Sequence, residues 1–157
     1  MFYFFIHAVP KFINKSSKGV AGSDPTHVDT DYPMFRLGDV HLIYAEAVLR
    51  GGSGGSRSEA LRLINMLRER AYGNQNGNIV DSELTLPFIL DERVRELYWE
   101  GIRRIDLVRF DQFTDKGIWR WKDNIKEGRV TEKHRNIFPI PASDIGANPN
   151  LNQNDKY

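Results

Sequence analysis

YPMFRLGDVHLIYAEAVLRGG, residues 32–52, reads as a helix written for burial on more than one side. Leu37, Val40, Tyr44, Ala47 and Val48 recur at helical spacing, and Leu42, Ile43, Ala45 and Leu49 widen the apolar surface beyond a single stripe. Gly51-Gly52-Ser53-Gly54-Gly55 stops the helix, because glycine is costly inside a helix and favourable at its end. The run is a turn and not a phosphate loop, since Ser56-Arg57 stands where a Lys-Ser/Thr pair would be required. Ser56 and Glu59 then have the S-x-x-E spacing of a capping box, and Leu61, Ile64, Leu67 and Ala71 form the stripe of a second helix. A five-residue linker makes the two helices antiparallel neighbours. Together they run from Arg36 to Ala71, close to the ~34-residue period of tetratricopeptide-type hairpins. One such hairpin cannot bury both its faces and needs stacked neighbours.

A third helix is marked by Leu90, Val94, Leu97, Tyr98 and Gly101, with Pro87 suited to its first turn, and Ile105–Phe110 continues the helical structure. Its charged residues alternate in sign, with Asp91/Arg95 and Glu100/Arg104 at the favourable i,i+4 spacing, so this side is expected to be solvated or salt-bridged. Trp99, beside Leu97 and Tyr98, is expected in the core. Residues 14–33 are a polar, turn-rich loop. After Phe113 the chain becomes irregular, NIFPIP (136–141) is extended, and the tail is polar and broken. The expected class is all-α: tetratricopeptide-like hairpins with irregular C-terminal loops. An extended or loop segment (1–35) continues from a missing N-terminal part, and a helical region spans 36–157. The apolar run MFYFFIHAV (1–9) is too short to span a bilayer and lacks the basic start of a secretory signal, so it reads as a strand in need of a partner.

The chain has 157 residues, 22 Lys+Arg against 21 Asp+Glu, and no Cys. The balance of charge disfavours nucleic acid as a partner. The missing cysteines exclude disulfides, thiolate metal sites and a lipid anchor through an N-terminal cysteine in the chain as written. Asp24, Asp29 and Asp31 could offer oxygens to calcium, but they lack the ordered loop and terminal bidentate Glu, so a solvated loop and no cofactor are expected. The four histidines are scattered, and His41 reads as a satisfied, partly buried helix residue. Nucleophile-elbow and dinucleotide motifs are absent. Glu96 and Glu100 could suggest a glycosidase pair, but they stand among arginines on an amphipathic helix, and no catalytic residue is assigned. Trp119-Arg120-Trp121 is the local feature with binding chemistry, since alternating aromatics in a loop can stack on sugar rings. The competing reading is that both tryptophans plug a layer between the helices and the C-terminal segment.

Four segments in order, 32–52, INMLRERA (64–71), ILDERVRELYWEGIRRIDLVRF (89–110) and FPIPASDIGANPNLNQN (138–154), closely resemble the C-terminal part of the SusD/RagB family of Bacteroidetes. The resemblance covers about Lys11 to Tyr157. It implies a mostly α-helical fold and a non-catalytic protein at the outer face of the outer membrane. Such a protein binds a polysaccharide or oligosaccharide and sits on a SusC-like TonB-dependent transporter. The run from Phe113 through Trp121 to Gly128 looks like the starch-binding branch, which makes an α-glucan one candidate ligand. Members are longer and begin with a lipoprotein signal, so the chain reads as a C-terminal fragment with an exposed apolar patch where upstream helices belong. No family binding residue is carried over; Trp119 and Trp121 stand on their own chemistry. The alternative function is a helical interaction scaffold that holds the transporter without binding glycan.

Overall fold

The computed structural model describes Lys11 and residues 13–157. The expected N-terminal strand, Met1–Val9, lies outside the described residues. Among these there are five α-helices and no β-strand. They are α1 (Leu37–Leu49), α2 (Arg57–Tyr72), α3 (Leu86–Glu96), α4 (Arg103–Arg109) and α5 (Ala142–Ala147), with short 3-10 turns between them. The all-α expectation holds. No helix among the described residues is long and apolar enough to cross a membrane.

The α1–α2 hairpin forms as its local chemistry dictates. Gly51 sits at φ +87, where a side chain would be strained, and its N–H reaches Val48 O at 3.0 Å. Gly55 lies against Tyr44 and Val48 so closely that an added Cβ would come within 2.6 Å of Val48 Cγ2. The capping box forms by half. Ser56 Oγ accepts from Glu59 N at 3.2 Å, but the Ser56 N–H donates to Tyr44 Oη and Glu59 turns to Arg62. Thr85 caps α3 by accepting from Phe88 N, with Pro87 in the first turn.

Helix α1 packs on α2 and α3, and α3 on α4. The core joins Leu42 and Ala45 of α1, Ala60, Ile64 and Leu67 of α2, Ile79 and Leu84 of the following loop, and Ile89 and Leu97 of the α3 segment. This corrects the stripe read for α1. Leu37, Val40 and Ala47 face solvent, Tyr44 and Val48 are half-buried, and the buried face runs through Gly38, Leu42 and Ala45. In an all-round apolar helix periodicity alone does not choose the inner face. His41 is buried, as expected in part, but its Nδ1 has no hydrogen-bond partner among the described residues.

The third helix is shorter than its pattern. Helix α3 ends at Glu96, and α4 begins only at Arg103. Between them Trp99 and Gly101 adopt φ +63 and +72. Trp99 is 65% exposed and packs edge-on against Tyr98 at 6.3 Å, so it is not a core residue of the described structure. The gain that offsets this interruption is electrostatic: it brings the Glu100 carboxylate inward to Arg36 and Lys11.

The outer side of α1 and its approach, Met34, Phe35, Leu37, Val40 and Ile43, is exposed and apolar, with Phe35 at 82%. Leu42→Ala is expected to cost about 2–5 kcal/mol in urea unfolding, and Val40→Ala less than about 0.5 kcal/mol. The isolated chain should bind an apolar-surface dye while folded, and the double variant Phe35→Ser/Leu37→Ser should weaken that signal.

Candidate functional site

Trp119 and Trp121 lie in one closed loop but do different things. Trp119 pairs with Arg129 in both directions: its N–H donates to Arg129 O at 2.9 Å, and its carbonyl accepts from Arg129 N at 3.2 Å. Its ring meets Phe113 edge-on at 5.7 Å, and Nε1 donates to Phe113 O at 3.2 Å. Trp119 is thus an anchor. Trp121 has no ring neighbour among the described residues and is 65% exposed. Its N–H donates to Ile125 O at 2.9 Å, closing a tight inner turn. Packing and exposure are therefore divided between the two residues: Trp119 packs on Phe113, and Trp121 faces solvent.

The inner turn is strained. Trp121, Asp123 and Asn124 sit at φ +64, +57 and +61; Asp and Asn tolerate this region, so the strain falls on Trp121, at roughly 1–2 kcal/mol. Surrounding contacts hold it. Lys122 Nζ donates to Val130 O at 2.9 Å and to Thr131 Oγ1 at 3.2 Å. Gly128, at φ +89, lies where an added Cβ would be 2.5 Å from Trp119 O. Beyond the loop, Glu132 accepts from Arg135 and from its own backbone N–H; that self-contact is the larger cause holding its carboxyl down at about 2.

The loop is tied to the helices through Arg104 of α4. Its guanidinium lies 4.8 Å from the Phe113 ring and 3.7 Å from the Phe138 ring, and Nη2 donates to Arg135 O at 2.7 Å. The pairing expected between Arg104 and Glu100 does not form. On sequence alone Arg104 has only an i,i+4 partner, and Phe113 and Gly128 only a place at the bounds of this run; none of them is assigned a part in closing the loop. Only Gly128, a glycine closing an irregular run, carried a local signal.

Beneath this lies a buried ion network. Arg93 of α3 is 2% exposed, with Nη1 at 2.9 Å from Asp39 of α1 and Nε at 2.8 Å from Asp106 of α4. Neither approach is aligned as a hydrogen bond, so the attraction is charge on charge. Arg109 joins Asp106 to Glu46, which Arg50 also contacts. Burial alone would raise the Glu46 carboxyl, but the hydrogen bonds from Arg109 and Arg50 together outweigh it and hold it below the ordinary range. Glu100 behaves alike: burial raises it, while Arg36 and Lys11 prevail and lower it. Arg36 is correspondingly raised, first by its hydrogen bond with Glu100. Glu96 is held by Arg36 and Arg70. The charged side of α3 is therefore salt-bridged and largely buried. Asp91→Arg95 gives way to Arg95–Glu92 at 2.6 Å. A glycosidase acid needs a raised pKa, and Glu100 is shifted the other way.

Asp24 and Asp29 serve turns. Asp24 accepts from Thr26 and His27 N–H, Asp29 from Ser23. No group of three His, Cys, Asp or Glu among the described residues could hold a metal ion.

The described residues thus form a salt-bridged helical hairpin with irregular loops that carry one solvent-facing aromatic. The chain belongs to the SusD family, whose model matches residues 4–157. It is similar to the starch-binding protein SusD of Bacteroides thetaiotaomicron, 40% identical over 151 residues, covering 96% of this chain and 26% of that protein. It is also similar to the SusD-like protein P38 of Formosa agariphila, 32% identical over 141 residues, covering 85% of this chain and 26% of that one. The crystal structure of a SusD superfamily protein from Parabacteroides distasonis superposes with a TM-score of 0.59 at 26% identity, covering 84% of this chain and 28% of that one. The chain spans about a quarter of the length of these curated relatives.

Arg93→Met, which strands the buried Asp39 and leaves Asp106 with Arg109 alone, is expected to cost about 3–5 kcal/mol in urea unfolding. The lowered Glu46 and Glu100 contribute stability that is complete above the unfolded carboxyl pKa of about 4.3 and lost as pH falls through their folded values. Urea midpoints measured from pH 7 to 3 should fall steeply below about pH 4, and less steeply in Glu46→Gln.

Proposed function

We propose that the chain is a glycan-binding part of an outer-membrane polysaccharide uptake system of the SusC/SusD kind, with Trp121 as a stacking platform for a sugar ring. The observation that carries this is Trp121 itself, 65% exposed on a loop closed by the Trp119–Arg129 pair. Leaving most of that residue in water forgoes apolar stabilisation, which a stacked pyranose face would restore. Family membership and 40% identity to a starch-binding protein support the class of ligand. The role is binding without catalysis, at the cell surface, beside a TonB-dependent transporter; this rests on the family. Both Glu96 and Glu100 are committed to ion pairs, which fits a non-catalytic part.

A second reading, a scaffold that contacts the transporter without touching glycan, is favoured by the exposed apolar side of α1 at Met34, Phe35 and Leu37. The two readings predict different losses. Affinity electrophoresis of the 157-residue chain in gels containing starch and a panel of other polysaccharides should show retardation by at least one glycan. Trp121→Ala should weaken it about tenfold, and Gly128→Val should do the same by opening the loop while the helical far-UV signal stays. Migration unchanged with every glycan, alongside transporter capture that survives Trp121→Ala, would favour the scaffold.

A further inference from the structure

The surroundings of Trp121 are basic. Residues 118–135 hold six Lys or Arg against three Asp or Glu, while the rest of the chain is net negative. The acids of this segment are mostly spent. Asp123 lies 3.7 Å from Arg129, and Glu132 is shared by Arg135 at 2.8 Å and Lys122 at 3.6 Å. Of these acids Glu127 alone makes no ion pair among the described residues. Among the cations Arg120, Lys126 and Lys133 have no ion pair or side-chain hydrogen bond among the described residues, whereas nearly every arginine of the helical hairpin and of α3 is matched to a carboxylate or a carbonyl. Arg120 immediately precedes Trp121, and Lys126 immediately follows Ile125, whose carbonyl closes the Trp121 turn. The display of aromatic surface and the surplus of unmatched positive charge therefore coincide in one loop.

Resting on the glycan-binding reading of this loop, we propose that its ligand is an acidic glycan, one bearing carboxylate or sulfate groups, with Trp121 stacking on a ring face and Arg120 and Lys126 matching the acid. A neutral glucan satisfies its hydroxyls with hydrogen bonds and gives unpaired cations nothing to neutralise. An acid on a sugar ring lies within a few ångströms of the face that stacks, which is the reach from Trp121 to its neighbours in the chain. Charge of this kind acts through partly screened Coulomb attraction, so it carries a salt signature that stacking alone does not.

The test is affinity electrophoresis and titration of the 157-residue chain with polygalacturonate, chondroitin sulfate, amylopectin and anionic phospholipid vesicles, each at low and at 0.3 M added salt. The proposal expects retardation by an acidic glycan and little by amylopectin, with affinity falling roughly tenfold at the higher salt. Arg120→Gln/Lys126→Gln should weaken acidic-glycan binding to a similar degree, Trp121→Ala should weaken it too, and Lys15→Gln/Lys18→Gln, which removes the same charge from another loop, should not. Equal, salt-insensitive retardation by amylopectin that ignores the charge variants would overturn the acidic assignment and leave glycan binding standing. Binding to anionic vesicles as tight as to the glycans and indifferent to Trp121→Ala would overturn it in favour of a general anionic surface. Retardation by none of the glycans would overturn both readings.

Discussion

Arg93 is the charge on which the helical assembly turns. It sits on α3 with its guanidinium between Asp39 of α1 and Asp106 of α4, and almost none of it reaches water. Buried ion pairs are weak sources of net stability, because desolvation offsets most of the attraction. Their effect is on arrangement: a buried carboxylate tolerates few positions once its cation is fixed. With Asp39 and Asp106 both answering to Arg93, the three helices cannot slide independently. Arg109 and Glu46 extend the same constraint to the far end of α1.

This constraint also explains why the third helix stops early. A continuous helix through Gly101 would leave Glu100 on the helix surface beside Arg104. The break hands Glu100 to Arg36 and Lys11, and frees Arg104 to lie on the Phe113 and Phe138 rings. One interruption of six residues thus joins the helical hairpin to the irregular C-terminal half. The display of Trp121 is an outcome of that second attachment, since Phe113 receives Trp119 and Trp119 closes the loop.

Much of the helical half was legible in the sequence because its signals are local. The glycines at 51 and 55, the Ser56 cap and Pro87 each act within a few residues, and each appears where the pattern placed it. The inner face of α1 was misread because a helix apolar all round offers no contrast. Charge partners were misread because the i,i+4 rule sees only neighbours on one helix, whereas Glu100 pairs with Arg36, 64 residues away. The Trp119-Arg120-Trp121 loop stood out by composition. Which tryptophan anchors and which is displayed depends on Phe113 and Arg129, and no periodicity links those four residues.

The C-terminal tail carries a last consequence. The Gln153 side chain takes the N–H of Ile140 at 2.8 Å and gives its own N–H to the same residue's carbonyl at 2.9 Å, so a side-chain amide plays the part of a neighbouring strand. Asn154 and Tyr157 hold the carbonyls of Phe138 and Ile137. Phe138 in turn is half of the aromatic seat under Arg104, and Phe113 is the other half. The last five residues therefore act at a distance: a tag or truncation that disturbed Gln153 would loosen the seat at Phe138 and Phe113 and, through it, the loop that carries Trp121. These last residues are a working part of the foundation of the loop that carries Trp121.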